Sequence, residues 1–127
     1  MNSDEYHFHS RVKVDGRSVD EKMAVLMKTV WDYGIRTVEC CQGGPESPFY
    51  WSWVQFWNVA DGLKFLEATA YLTNYTHADN LHMYLTPAIL PQAGPSPMVL
   101  FKPELLEQIS QLWVEGTAKT PEEKKKD

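Results

Sequence analysis

The sequence predicts an α+β domain, an antiparallel sheet with helices on one face, arranged as a ferredoxin-like βαββαβ core with a βα extension. Three observations lead there. Segments of two-residue alternation are interleaved with segments of helical periodicity, in the order strand, helix, strand, strand, helix, strand, strand, helix. A length of 127 residues with 43% hydrophobic content is enough for one buried core without a disulfide or metal. No apolar run approaches the roughly 18 residues of a membrane span.

Each element has its own signal. From Tyr6 to Val14 the chain alternates, with Tyr6, Phe8, Val12 and Val14 on one face and His7, His9, Arg11 and Lys13 on the other. Asp15-Gly16 marks a turn. Ser18-Val19-Asp20-Glu21 reads as a capping box that opens a helix. Met23, Leu26, Met27, Val30 and Trp31 form its apolar stripe, and Gly34 ends it. Ile35 to Cys41 is a short strand with Val38 and Cys40 on one face. After the Gln42–Pro48 loop, Phe49 to Trp57 is an aromatic strand, with Trp51, Trp53, Gln55 and Trp57 on one face. Asn58 caps a second helix with Val59, Leu63, Leu66 and Ala70 as its stripe. A polar loop (Asn74–Asn80) leads to strands at Leu81–Leu85 and Met98–Phe101. Pro103 starts a third helix, whose inner face is Leu105, Ile109 and Leu112 and which Gly116 ends. Residues 1–116 thus read as one domain, and the charged 117–127 tail as disordered.

Charge and cysteine usage narrow the function. Formal net charge is −5, from 12 basic and 17 acidic residues. Between Thr37 and Phe101 the only basic residue is Lys64, too little to neutralise the phosphates of a nucleic-acid polymer. Arg11, Lys13, Arg17, Lys22, Lys28 and Arg36 gather in the first third, enough for a small anion. The opening Met1-Asn2-Ser3-Asp4-Glu5 has no signal-peptide layout. Adjacent Cys40 and Cys41 rarely pair with each other, so a reduced, cytoplasmic setting is expected.

The segment Gly34-Ile35-Arg36-Thr37-Val38-Glu39-Cys40-Cys41-Gln42-Gly43 resembles short proteins of phages and their bacterial hosts. These carry a helix, then Gly-Ile/Tyr-x-Thr-x-x-Ser-Cys-x-Gly, then a strand and a second helix. The likeness spans about Lys22 to Leu66, with Cys40 where serine is usual. It implies a shared fold, and most such proteins have no assigned activity. A more distant likeness, to wybutosine-synthesis methyltransferases, lacks the arginine after the glycine.

Three readings of the loop stay open. Gly43 and Gly44 can turn backbone amides outward to cradle an anion. Cys41 can be an activated thiol, with His7, His9 or Arg36 as the group that lowers its pKa. Or both cysteines pack as small apolar residues while the glycines turn the chain. No metal is expected, because the cysteines lack zinc-knuckle spacing, and no cofactor fingerprint is present.

Trp51, Trp53 and Trp57 on one strand face ask for a cover, either a second subunit or a stacked flat ligand. The combined expectation is a non-enzymatic homo-oligomeric protein that sequesters a small anionic, nucleotide-like ligand, in a phage setting as a counter-defence protein. Its site would comprise Cys41, Gln42, Gly43, Gly44, Trp51, Trp53, His9, Arg11 and Arg36. The alternative is an acidic, aromatic surface that binds and inhibits a host protein. An enzyme would have to use Cys41 with a histidine base, and no catalytic residue is otherwise assigned.

Overall fold

A computed structural model describes residues 9–45, 50–73 and 80–117. Among these residues a strand–strand–helix unit occurs three times. The first is β1 (Arg11–Val14), β2 (Arg17–Asp20) and α1 (Ala24–Asp32). The second is β3 (Thr37–Cys41), β4 (Ser52–Phe56) and α2 (Val59–Thr73), and the third is β5 (Leu81–Thr86), β6 (Ser96–Phe101) and α3 (Leu106–Thr117). Strands β3, β4, β6 and β5, in that order, make a four-stranded sheet, and β1 and β2 make a separate hairpin. Every pairing is antiparallel, so the fold is α+β. No helix among the described residues is long and apolar enough to cross a membrane. Tyr6 to Phe8, Glu46 to Phe49, the 74–79 stretch and the tail from residue 118 lie outside the described residues.

The first strand does not enter the main sheet, so a ferredoxin-like interleaving does not form. The reason is local. Asp15 (φ 51°) and Gly16 (φ 82°) both adopt left-handed conformations, the signature of a two-residue hairpin turn. That turn pairs Val14 with Arg17, Lys13 with Ser18 and Arg11 with Asp20. The hairpin therefore takes the residues that read as a capping box. Helix α1 starts instead after a 3-10 turn over Glu21–Met23, with no side-chain cap. Its other end matches the expectation. Gly34 (φ 97°) donates to Trp31 O and Ile35 N–H reaches Val30 O, closing a Schellman motif. Asn58 does cap α2, accepting the Asp61 amide through Oδ1 at 2.9 Å.

One face of the sheet forms the core. Cys40, Val54, Val99 and Met83 lie across the strands in one row, and Ser52, Phe101 and Leu81 in another. Helix α2 packs across β4, β5 and β6, while α3 packs against both α1 and α2. The stripes of the last two helices are rotated from those expected. Phe65 and Thr69 face inward on α2, while Leu63 is exposed. On α3 Leu106, Ile109, Ser110, Trp113 and Gly116 are buried. Trp113 is fully enclosed, stacks on Phe65 with ring centroids 5.5 Å apart, and donates through Nε1 to Thr69 Oγ1 at 2.9 Å. Gly116 continues α3 rather than ending it, and its missing Cβ leaves room for the Leu72 side chain of α2.

A bulge decides which cysteine enters the core. Thr37 pairs with Phe56 but Glu39 with Gln55, so Val38 is an extra residue in β3. Thr37 and Cys40 therefore both face inward, and Thr37 Oγ1 accepts from Trp31 Nε1 at 2.8 Å. Cys41 shares the outer face with Trp53, Leu100 and His82. Trp113→Ala should lower the unfolding free energy by about 3–5 kcal/mol, as large-to-small changes in closed cores do. Leu85→Ala, at a residue 60% exposed, should change it by about 0.5 kcal/mol at most. Urea unfolding followed by circular dichroism measures both.

Candidate functional site

The site is built around Asp20, the last residue of β2 and only 1% exposed. Its Oδ1 accepts from Arg11 Nη1 at 2.8 Å, and its Oδ2 accepts from the Gln42 amide at 2.9 Å. One carboxylate thus ties the hairpin to the residue that follows β3. The Arg11 side chain is buried as well, and its Nη2 also donates to Ser18 O and stands 3.8 Å from Glu39. Burial on its own would lower the Arg11 pKa, but the hydrogen bond and charge of Asp20, with Glu39, raise it.

Gln42 joins three segments. Its side-chain Oε1 accepts the Lys22 amide at 3.1 Å, and its Nε2 lies 3.1 Å from His9 Nδ1. Its carbonyl accepts from Ser52 Oγ at 2.6 Å. These contacts bring His9, Asp20 and Cys41 together, with one potential ligand atom from each within 4.8 Å of the others. His9 Nε2 is buried with no hydrogen-bond partner. The two cysteines have separate environments. Burial, reinforced by the negative charges of Glu39 and Asp20, pushes the Cys40 thiol far above its ordinary range, so it stays protonated. Cys41 is only half-buried.

The glycines turn the chain; they do not cradle an anion through their amides. Gly43 N–H points to Cys41 Sγ at 3.4 Å, and Gly44 N–H donates to Tyr50 O at 2.6 Å. Gly43 holds φ 70°, and a Cβ there would collide with the backbone of Tyr50, Trp51 and Ser52. Tyr50 itself holds φ 62°, a conformation a bulky residue adopts only under constraint.

Beyond the turn lies a cleft of about 600 Å³, between Gln42–Pro45, Tyr50 and the starts of α1 and α3. Val25, Leu106 and Val114 give it an apolar wall, and Ser110 and Gln111 give it polar atoms. Lys22 contributes a cation to the lining, and Glu104 and Glu107 contribute two carboxylates. A smaller cleft of about 210 Å³ holds Arg11 and Arg17 between the hairpin and β3.

Of the residues expected at one site, His9, Arg11, Cys41, Gln42, Gly43 and Gly44 do converge. Trp53 lies directly across the strand pair from Cys41, and Trp51 meets His82 edge-on at 4.9 Å. Arg36 does not join them. It precedes β3, at the end away from Cys41, and approaches Asp61 at 3.5 Å. Trp57 lies past β4 and lines another cleft with Trp31 and Arg17. The face expected to carry His7, His9, Arg11 and Lys13 is not uniformly outward, since Lys13 is exposed but Arg11 turns inward to Asp20. His7 lies outside the described residues. Asp20, Lys22, Glu104 and Glu107 escape a reading based on spacing, because only the fold brings them near residues 41–45.

No protein-family model, curated protein or solved structure matches the chain. Gly43→Ala should cost roughly 2–4 kcal/mol of stability, through the left-handed strain and the backbone collision. Gly16→Ala has the same φ strain but open space around it, so it should cost visibly less in the same denaturant titration.

Proposed function

We propose that the protein binds and sequesters a small nucleotide-like molecule, without chemistry, in the cleft beside the Gln42–Pro45 turn. The supporting observation is the cleft itself: at about 600 Å³ it falls within the roughly 300–1,000 Å³ of small-molecule sites. Its chemistry is mixed. Val25, Leu106, Val114 and the Tyr50 ring offer contact to a flat apolar body, while Ser110 and Gln111 offer hydrogen bonds. Lys22 would meet one anionic group, and Glu104 and Glu107 would accept from hydroxyl or amino groups of the same ligand. That balance favours a singly charged phosphate ester over a polyphosphate, because two carboxylates oppose one ammonium. The resemblance of Gly34–Gly43 to phage proteins adds a setting, capture of a host signalling nucleotide.

A second reading, a protein-binding surface, rests on the outer sheet face. There Trp51, His82 and Tyr84 form a chain of edge-on rings, with Tyr84 and Leu85 exposed. Self-association through this face would make the homo-oligomer expected of the tryptophans.

Native mass spectrometry of the protein incubated with nucleoside monophosphates and cyclic nucleotides separates the two. Sequestration predicts a mass above a whole multiple of 14.6 kDa. Val114→Trp, which fills the cleft from an exposed helix position, should weaken binding at least about tenfold, a loss of some 1.4 kcal/mol. A bare mass for every nucleotide, with no thermal shift, would overturn the ligand reading.

A further inference from the structure

We infer that His9, Asp20 and Cys41 form a binding site for a divalent metal ion of the zinc class, with a fourth position open to solvent or to a donor atom of a bound molecule. The inference does not depend on the ligand proposed for the neighbouring cleft.

The first ground is the donor set. An imidazole, a carboxylate and a thiol, drawn from three separate segments, place one ligand atom each within 4.8 Å of the others. In a tetrahedral zinc site, with bonds of about 2.0–2.3 Å, the donors stand roughly 3.3–3.8 Å apart. Side-chain rotations of about an ångström close that difference. A mixed nitrogen, oxygen and sulfur set suits zinc or cobalt better than calcium or magnesium, which prefer oxygen alone.

The second ground is independent of spacing. His9 Nε2 is buried, with no hydrogen-bond partner. A polar atom in that position carries a desolvation cost that a metal ion would remove.

The third is the outer layer. Two of the donors are held by groups that are not themselves ligands: Asp20 by Arg11 and the Gln42 amide, and Cys41 by the Gly43 amide. Such contacts orient metal ligands in advance. Binding through Nε2 moves the imidazole hydrogen to Nδ1. The Gln42 side chain must then turn to present Oε1 to Nδ1 and withdraw from the exposed Lys22 amide, which is hydrated instead. Charge also fits. Asp20 and a Cys41 thiolate contribute two negative charges, and the opposing Arg11 is offset by Glu39 at 3.8 Å. Binding displaces the Cys41 thiol proton to solvent, so affinity should fall as pH is lowered.

The probe is cobalt(II), added to the metal-free full-length protein and followed by absorption. One equivalent should give a thiolate-to-cobalt charge-transfer band with visible bands of four-coordinate intensity, and zinc should abolish both. Cys41→Ser should remove the charge-transfer band, His9→Gln should weaken binding at least about tenfold, and Cys40→Ala should leave the spectrum unchanged. Neither Cys41→Ser nor His9→Gln touches the Arg11–Asp20 pair, and circular dichroism confirms that each remains folded. Absence of the band in the folded protein, or its persistence in Cys41→Ser, overturns the assignment. So does a metal-free Cys41 that alkylates rapidly, more slowly in His9→Gln, with no cobalt spectrum, since the cluster would then be a nucleophile and its base.

Discussion

The buried carboxylate of Asp20 is the contact on which the rest of this architecture depends. It accepts from Arg11 within the hairpin and from the Gln42 amide beyond β3, and so fastens a two-stranded unit to the edge of a four-stranded sheet. A buried ion pair is weak evidence of net stability, because its formation costs desolvation. Its loss is another matter. Removing one partner strands a charge at a cost of about 3–5 kcal/mol, so the geometry once formed has little freedom to relax. The hairpin also carries His9 to Gln42, and the same glutamine sets the wall of the neighbouring cleft.

Two backbone irregularities deliver the side chains to this point. The Asp15-Gly16 turn folds β2 back on β1 and places Asp20 opposite Arg11. The extra residue at Val38 then shifts the alternation of β3, sending Cys40 into the core and Cys41 to the outer face. The consequence is chemical. Two adjacent thiols acquire different environments, one held protonated by burial and one standing beside an imidazole and a carboxylate. Behind them, the Phe65–Trp113 stack and the Trp113–Thr69 hydrogen bond join α2 to α3, whose first turns complete the cleft.

Much of this was legible in the residues. The alternation of β4 and the stripe of α1 follow from periodicity, and the Gly34 and Asn58 caps from side-chain chemistry, whereas the expected sharing of one face by Val38 and Cys40 fails at the bulge in β3. The hairpin was obscured because Ser18–Glu21 satisfies a capping-box pattern, while the Asp-Gly turn before it favours a strand and prevails. The rotation of the α2 stripe leaves no apolar pattern in the sequence because two of its inward residues, Gly62 and Thr69, are not apolar. Gly62 nevertheless faces inward, to let Pro97 approach. At the site, His9, Arg11, Cys41 and Gln42 were singled out for their chemistry and do meet. Asp20 could not be paired with them, since nothing in its spacing distinguishes it from a helix-cap residue. Arg36 is near Cys41 in sequence but not in space: β3 carries its two ends apart, and Arg36 stands at the end away from Cys41.

The cleft and the His9–Asp20–Cys41 cluster thus lie on two sides of one turn, both resting on the Gln42 backbone being held in place. Amide hydrogen exchange tests that directly. The account predicts that the Gln42 N–H is protected in the native protein although it follows the last residue of an edge strand. Asp20→Asn should abolish that protection while Val54, in the sheet centre, keeps its own. A Gln42 amide that already exchanges at the rate of an exposed loop in the unaltered protein would contradict the account.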